Sequence, residues 1–201
     1  MDREQWDERY GGDDLVWTST PNEFFVSEVV DLPAGRAVDL ACGEGRNAVW
    51  LAERGWKVTG VDFSSVGLSK AQRLAESRQV AVRWVESAVE EWTAPPDGFD
   101  LVAVCYLQLP QPQRSVALAV AAASVATGGT LFVVAHDHEN LTRGFGGPQD
   151  AAVLYSVGDV TGVAETNGLI VERAEQVIRL VATDSGKREA IDTLVRALRP
   201  A

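Results

Sequence analysis

Between residues 38 and 47 the chain reads Val38-Asp39-Leu40-Ala41-Cys42-Gly43-Glu44-Gly45-Arg46-Asn47. An apolar strand here runs into a glycine loop and then into a helix start. Gly43 and Gly45 let the backbone turn sharply and approach a ligand closely. The helix start offers free N–H groups to an anionic end such as a carboxylate. Asp39, at the strand tip, adds an acceptor for a cationic group. A second strand ends in Gly60-Val61-Asp62-Phe63-Ser64. An acid at this place has two oxygens that suit the two hydroxyls of a ribose. Together the two stretches describe a nucleoside joined to an amino acid.

A dinucleotide is the main rival. Gly43, Gly45 and Ala48 match a loose G-x-G-x-x-A, with Asp62 at a suitable distance. Asp39 argues against it, because a carboxylate there would face a pyrophosphate. In 201 residues little is left for a separate substrate domain. Two alternatives therefore stand beside an enzyme using the nucleoside–amino acid: an NAD(P)-binding oxidoreductase-like domain, and a non-catalytic binder of the same ligand. His136 and His138 are the only histidines, in Ala-His-Asp-His-Glu-Asn. His136 follows an apolar strand and is the candidate general base; the alternative is a histidine that orders its own loop. His-x-His beside two acids has ligand types for a metal, but no metal is assigned.

These residues need elements to hold them. Asp2 to Tyr10 reads as a helix with Trp6 and Tyr10 on one face. A second helix spans about Asn22 to Val30, capped by Asn22. Then strands and helices alternate: strands at 37–40, 57–61, 80–85, 99–104 and 130–135, and helices at 47–54, 65–77 and 113–126. A helix at 156–166 carries a Ser156/Asp159 capping box. Two strands, 169–182 and 189–198, flank a turn at Asp184, Ser185 and Gly186. Alternation predicts right-handed βαβ units and a parallel sheet covered on both faces. The expected architecture is a Rossmann-like three-layer α/β sandwich, with about seven mostly parallel strands and a C-terminal antiparallel hairpin. It forms one domain, with residues 1–34 as a helical cap and 35–201 as the core.

The net charge is −11, and no Lys/Arg cluster appears. That argues against nucleic acid and anionic membranes as partners, since both reward a basic face. No apolar run is long enough to span a bilayer, and the charged, aromatic first ten residues do not read as a signal peptide. Cys42 and Cys105 are the only cysteines. The expectation is a cytoplasmic protein acting on a small molecule; the oligomeric state is not legible.

Gly43-Glu44-Gly45-Arg46-Asn47 with Trp50-Leu51-Ala52 resembles the class I S-adenosylmethionine-dependent methyltransferases, and among them the tellurite-resistance and thiopurine methyltransferase-like branch. The resemblance runs from Trp6 to the final strand. It implies that Asp39, Ala41, Cys42, Gly43, Gly45, Arg46 and Asn47 hold the methionine part of S-adenosylmethionine, with S-adenosylhomocysteine as product. It implies that Asp62 binds the ribose and Phe63 lies against the adenine. Family members often carry an acid beside the adenine amino group. The matching place here is Ala88, a departure that leaves the Val89 N–H as the contact. Cys105 and Tyr106 would lie beside the methyl donor. Tyr10, Trp17, Tyr106, Gln108 and His138 are the candidate acceptor-side residues. The acceptor atom (O, N, S or a metalloid) is not implied.

Overall fold

The computed structural model describes residues 2–184 and 186–201. Seven strands form one sheet: β1 (Arg36–Leu40), β2 (Lys57–Asp62), β3 (Arg83–Glu86), β4 (Phe99–Cys105), β5 (Val125–His136), β6 (Ile170–Thr183) and β7 (Gly186–Leu198). Their order is β3-β2-β1-β4-β5-β7-β6. The first five pair in parallel, and β7 inserts antiparallel between β5 and β6. Ser185, in the predicted hairpin turn, lies outside the described residues.

Side chains alternate across a strand, and here both sets are buried. Val38, Leu40, Val102, Val104, Leu131 and Val133 feed one core, against α5 (Gln113–Ala123) and α7 (Val157–Thr166). Ala37, Leu101, Ala103, Phe132, Val134 and Leu194 feed the other, with Phe25, Trp50 and Trp56. Phe25 lies on α2 (Glu23–Val29) and Trp50 on α3 (Arg46–Ala52); the Phe25 ring meets Trp50 and Phe132 edge-on at 5.7 and 5.5 Å. Two-sided burial is why the parallel strands read as continuous apolar runs.

The caps predicted at Asn22 and Ser156 are present, with others beside them. Asp2 starts α1 (Arg3–Tyr10) with a reciprocal capping box to Gln5. Asn22 caps α2, Ser64 caps α4 (Ser65–Ser77), and Ser156 pairs with Asp159 at the start of α7. Several boundaries differ from expectation: β7 starts at Gly186 rather than at 189, and two others have a clear cause. The helix expected over 113–126 ends at Ala123, because Val125 already pairs with Phe99 as the start of β5. Alanine favours a helix through Ala126, but the ladder with β4 takes these residues first. The strand expected from Val80 starts at Arg83, because the Val80 N–H donates to Ala75 and closes the tail of α4. A short helix, α6 (Asn140–Arg143), follows His138 where a loop was expected.

The order 3-2-1-4-5 reverses direction at β1. Crevices in such sheets open at the carboxyl ends of the strands beside that reversal.

Candidate functional site

A cavity of about 490 Å³ opens at that place. Its wall includes Ala41, Cys42, Gly43, Arg46 and Asn47 after β1, Asp62 and Phe63 at the end of β2, Cys105 to Leu109 from the end of β4, and His136 at the end of β5. Trp6, Tyr10, Trp17 and Asn22 close it from the N-terminal side, and Arg179 and Leu180 from β6.

Asp39 lies beneath the glycine loop and is buried. Neither of its carboxylate oxygens has a hydrogen-bond partner in good geometry. Burial pushes its pKa up to about 7, against the pull of the Arg46 guanidinium and the Ala48 N–H. A buried carboxylate without partners is costly; a cationic ligand group would supply the missing partner. Gly43 has φ +52°, and a side chain there would put its Cβ 2.7 Å from the Tyr10 hydroxyl. The loop therefore leaves room only for backbone. An orphaned acceptor, a bare backbone cradle and Arg46 at the start of α3 together fit the ammonium and carboxylate of an amino-acid ligand.

Gly45 serves differently. It caps α3 at φ +79°, and a Cβ would strike Ala71 and Trp84 at 2.7 Å. Its missing side chain allows α4 and β3 to pack close, and it does not line the cavity. Asp62 accepts from the Gly43 N–H (2.7 Å) and the Ser64 N–H (2.9 Å). One bond falls on each oxygen, so each keeps a lone pair for a further donor. Burial raises its pKa, and those N–H bonds oppose the shift. Ala88 and Val89 do not line the cavity. Val89 is buried at a 3₁₀ turn, and the neighbouring Ser87 N–H donates to the Asp62 carbonyl at 3.0 Å.

The N-terminal segment is tied down through Glu44, a residue without an assigned role in the sequence reading. Its two carboxylate oxygens accept the Val16 and Trp17 N–H groups, each at 3.0 Å. Lys70, buried on α4, pairs with Glu44 at 3.2 Å and donates to the Asp14 carbonyl. On α1, the Trp6 and Tyr10 rings stack at 5.3 Å, and the Tyr10 ring covers Gly67. Trp6, Tyr10 and Trp17 thus form a latched aromatic wall.

The other wall is assembled from distant residues. The Tyr106 hydroxyl donates to Asp192 Oδ2 (2.7 Å) and accepts from Asn22 Nδ2 (3.3 Å). Arg179 Nε donates to the same Oδ2 at 2.8 Å. His136 Nδ1 meets Asp192 Oδ1 at 3.1 Å, and its ring lies 4.7 Å from that of Tyr106. Burial alone would raise the pKa of Asp192; the bonds from His136 and Arg179 outweigh it and hold the carboxyl below its usual range. Arg179 and Asp192 were missed in the sequence. The one signal was an acid within the apolar run Ala190 to Val195.

Cys105, Tyr106 and Gln108 line the cavity as expected, as do Tyr10 and Trp17. His138 does not. It is exposed, beside Asp137 (3.2 Å) and the Tyr155 carbonyl (3.3 Å). Among the described residues no cluster of three His, Cys, Asp or Glu could hold a metal.

Residues 37–129 match the family model described as "Methyltransferase domain". A Coxiella burnetii protein named ubiquinone biosynthesis O-methyltransferase is 30% identical over 110 residues, which is 54% of this chain and 46% of that one. The chain spans less than half the length of the curated relatives it matches. Among solved structures, the N-methyltransferase NodS from Bradyrhizobium japonicum, in complex with S-adenosylhomocysteine, superposes with a TM-score of 0.75. It is 16% identical, and 99% of this chain and 98% of that one are covered. TehB from Haemophilus influenzae gives 0.73 at 13% identity, covering 99% and 67%. Residues 37–129 are thus similar to a methyltransferase domain, in a chain whose fold is that of NodS and TehB.

Proposed function

We propose that this chain moves a methyl group from S-adenosylmethionine to a small-molecule acceptor. The observation that carries the reading is the orphaned, buried Asp39 carboxylate beside the bare Gly43 turn. When bound, S-adenosylmethionine supplies an activated methyl carbon on a sulfonium. Asp39 takes the ammonium, and the N-terminal turn of α3 with Arg46 takes the carboxylate. Asp62 takes the ribose hydroxyls with its remaining lone pairs, and Phe63 lies against the adenine. Cys105 and Tyr106 border the reacting end. Trp6, Tyr10 and Trp17 exclude water, and most of the rate comes from alignment. Gln108 and Trp17 shape the acceptor pocket. His136 takes the proton of an acceptor that must lose one.

A small-molecule acceptor accords with a cavity of about 490 Å³, and the charge of −11 disfavours nucleic acid. No helix among the described residues is long and apolar enough to cross a membrane; a single domain working in the cytoplasm is the corresponding reading. Calorimetry with S-adenosylhomocysteine, followed by an acceptor screen with labelled methyl donor, tests the proposal. Tight binding and label transfer are expected. Absence of binding, or retention of a dinucleotide by the purified chain, overturns it. Asp62→Asn is expected to lose 10- to 100-fold in affinity while keeping an acceptor for the Gly43 or Ser64 N–H.

A further inference from the structure

His136 ends β5 and stands directly across the antiparallel ladder from Asp192 on β7. Arg179 on β6 pairs with Ala190, so Asp192 lies two residues further along on the same strand. This register brings a base candidate, a fully buried carboxylate and a guanidinium to one edge of the cavity. Gly147 covers the imidazole so closely that a Cβ would lie 3.2 Å from Cγ and Nδ1. Its loop is fixed by buried Asn140, which donates to the Gly146 carbonyl (2.8 Å) and accepts from the Ile191 N–H (2.8 Å).

We infer that Asp192 is a positioning residue that locks His136 with its proton on Nδ1 and its lone pair on Nε2, and that Arg179 and Tyr106 dictate this by occupying the other carboxylate oxygen. The inference rests on the reading of His136 as the base. An ionised carboxylate can only accept hydrogen bonds. Facing Nδ1 at 3.1 Å, it fixes the hydrogen there. Nε2 has no partner among the described residues, and the ring lines the cavity. Nε2 is therefore the nitrogen left to take a proton from the acceptor. Asp192 does not itself touch the acceptor; it acts through the imidazole. The arrangement is the base-and-orienter pair of nucleophilic enzymes, here built from a C-terminal hairpin.

The polarity of the network makes a specific prediction. Oδ2 receives Arg179 Nε, which can only donate. It also receives the Tyr106 hydroxyl, whose hydrogen is directed there because its two lone pairs accept from Asn22 (3.3 Å) and from Arg179 Nε (3.2 Å). In Asp192→Asn the single amide oxygen must take that site, so the amide NH₂ faces Nδ1. Nδ1 must then accept, and the proton moves to Nε2. Shape is retained and the base is lost. For an acceptor that needs deprotonation, the rate should fall by about 10²- to 10⁴-fold.

The test is imidazole ¹⁵N NMR on the full chain with S-adenosylhomocysteine present. The wild type should show a protonated Nδ1 and a lone-pair Nε2 in its neutral ring. Asp192→Asn should exchange the two shifts. Adding Arg179→Met to Asp192→Asn should reverse the exchange at least in part. Without the guanidinium, the Tyr106 hydroxyl can turn and accept from the amide, which lets the amide oxygen face Nδ1 again. A lone pair on Nδ1 in the wild type overturns the inference, as do unchanged shifts in Asp192→Asn. An exchange that Arg179→Met does not relieve overturns the role given to Arg179. None of these results depends on turnover. A chain with the expected shifts but no methyl transfer to any acceptor would defeat the proposed function and leave the positioning role standing.

Discussion

Asp39 and Asp192 are both fully buried at the carboxyl-end side of one cavity, and their surroundings are opposite. Asp39 has no hydrogen-bonded partner in good geometry, and burial lifts its pKa to about 7. Asp192 is met by His136, Tyr106 and Arg179, and its pKa is held below the usual value. The Asp39 half of the cavity is thus left incomplete, with a carboxylate that the protein itself does not satisfy. The Asp192 half is complete within the protein. An incomplete site stores binding selectivity for a cation, whereas a complete one stores geometry.

The two carboxylates respond to pH with opposite signs. The folded pKa of Asp39 is raised. Its contribution to stability is fully present below its ordinary value of 3.8 and is lost as pH rises toward about 7. The folded pKa of Asp192 is lowered. Its contribution is present above 3.8 and is lost on further acidification.

The largest effect expected is at Asp39. Asp39→Asn should stabilise the ligand-free chain by about 2–4 kcal/mol at pH 8, and by almost nothing near pH 4. The same change should weaken S-adenosylhomocysteine binding by 100-fold or more at pH 8. Wild-type affinity should fall as pH drops from about 7 to 5, because Asp39 becomes protonated; the variant should lose most of that slope. Urea melts at pH 8 and pH 4, and calorimetry between pH 8 and pH 5, decide this. A destabilised Asp39→Asn would show that the carboxylate is already satisfied, and the contrast with Asp192 would disappear.

At Asp192 the sign reverses. Asp192→Ala leaves Arg179 and the Tyr106 hydroxyl without their partner and should cost about 2–3 kcal/mol, less than a fully buried pair because Arg179 is partly exposed. Thermal melts check it. Cofactor affinity should change little, since the network belongs to the other half.

A smaller effect tests whether the Asp39 half is closed by its own loop. Glu44→Gln keeps one acceptor for the Val16 and Trp17 N–H groups but removes the charge opposite Lys70. A loss of about 1–2 kcal/mol is expected, with faster hydrogen exchange at Val16 and Trp17 and faster release of S-adenosylhomocysteine. Unchanged exchange at those amides would separate the latch from the site. The smallest effect belongs to His138. Being exposed and outside the cavity, His138→Ala should alter stability by under about 0.5 kcal/mol and leave binding and turnover as they were.

The Asp39 half of the cavity was legible in the sequence because its parts are local. Asp39, the glycine turn and the start of α3 lie within nine residues, and the acid ending β2 marks itself by following an apolar strand. The alternation of strands and helices fixed the parallel sheet for the same reason: period and caps are properties of short segments. Some residues of the local pattern lie outside the cavity wall. Gly45 resembles a ligand-contacting glycine, yet its neighbours Ala71 and Trp84 come from other elements. Ala88 and Val89 follow β3 at the expected place but turn away from the cavity into a 3₁₀ turn.

The Asp192 half was decided by tertiary structure. His136 and Asp192 are 56 residues apart, and Tyr106 and Arg179 are 73 apart. Their meeting depends on β7 entering antiparallel between β5 and β6, in a register that sets His136 opposite Asp192. A slip of one residue would turn Asp192 to the other face of the sheet. Sequence by itself showed that a hairpin would end the chain; only the pairing of that hairpin determined which side chains reach the cavity. The physical reason is that strand pattern specifies which face is buried, whereas register across a sheet is set by the packing of the whole core.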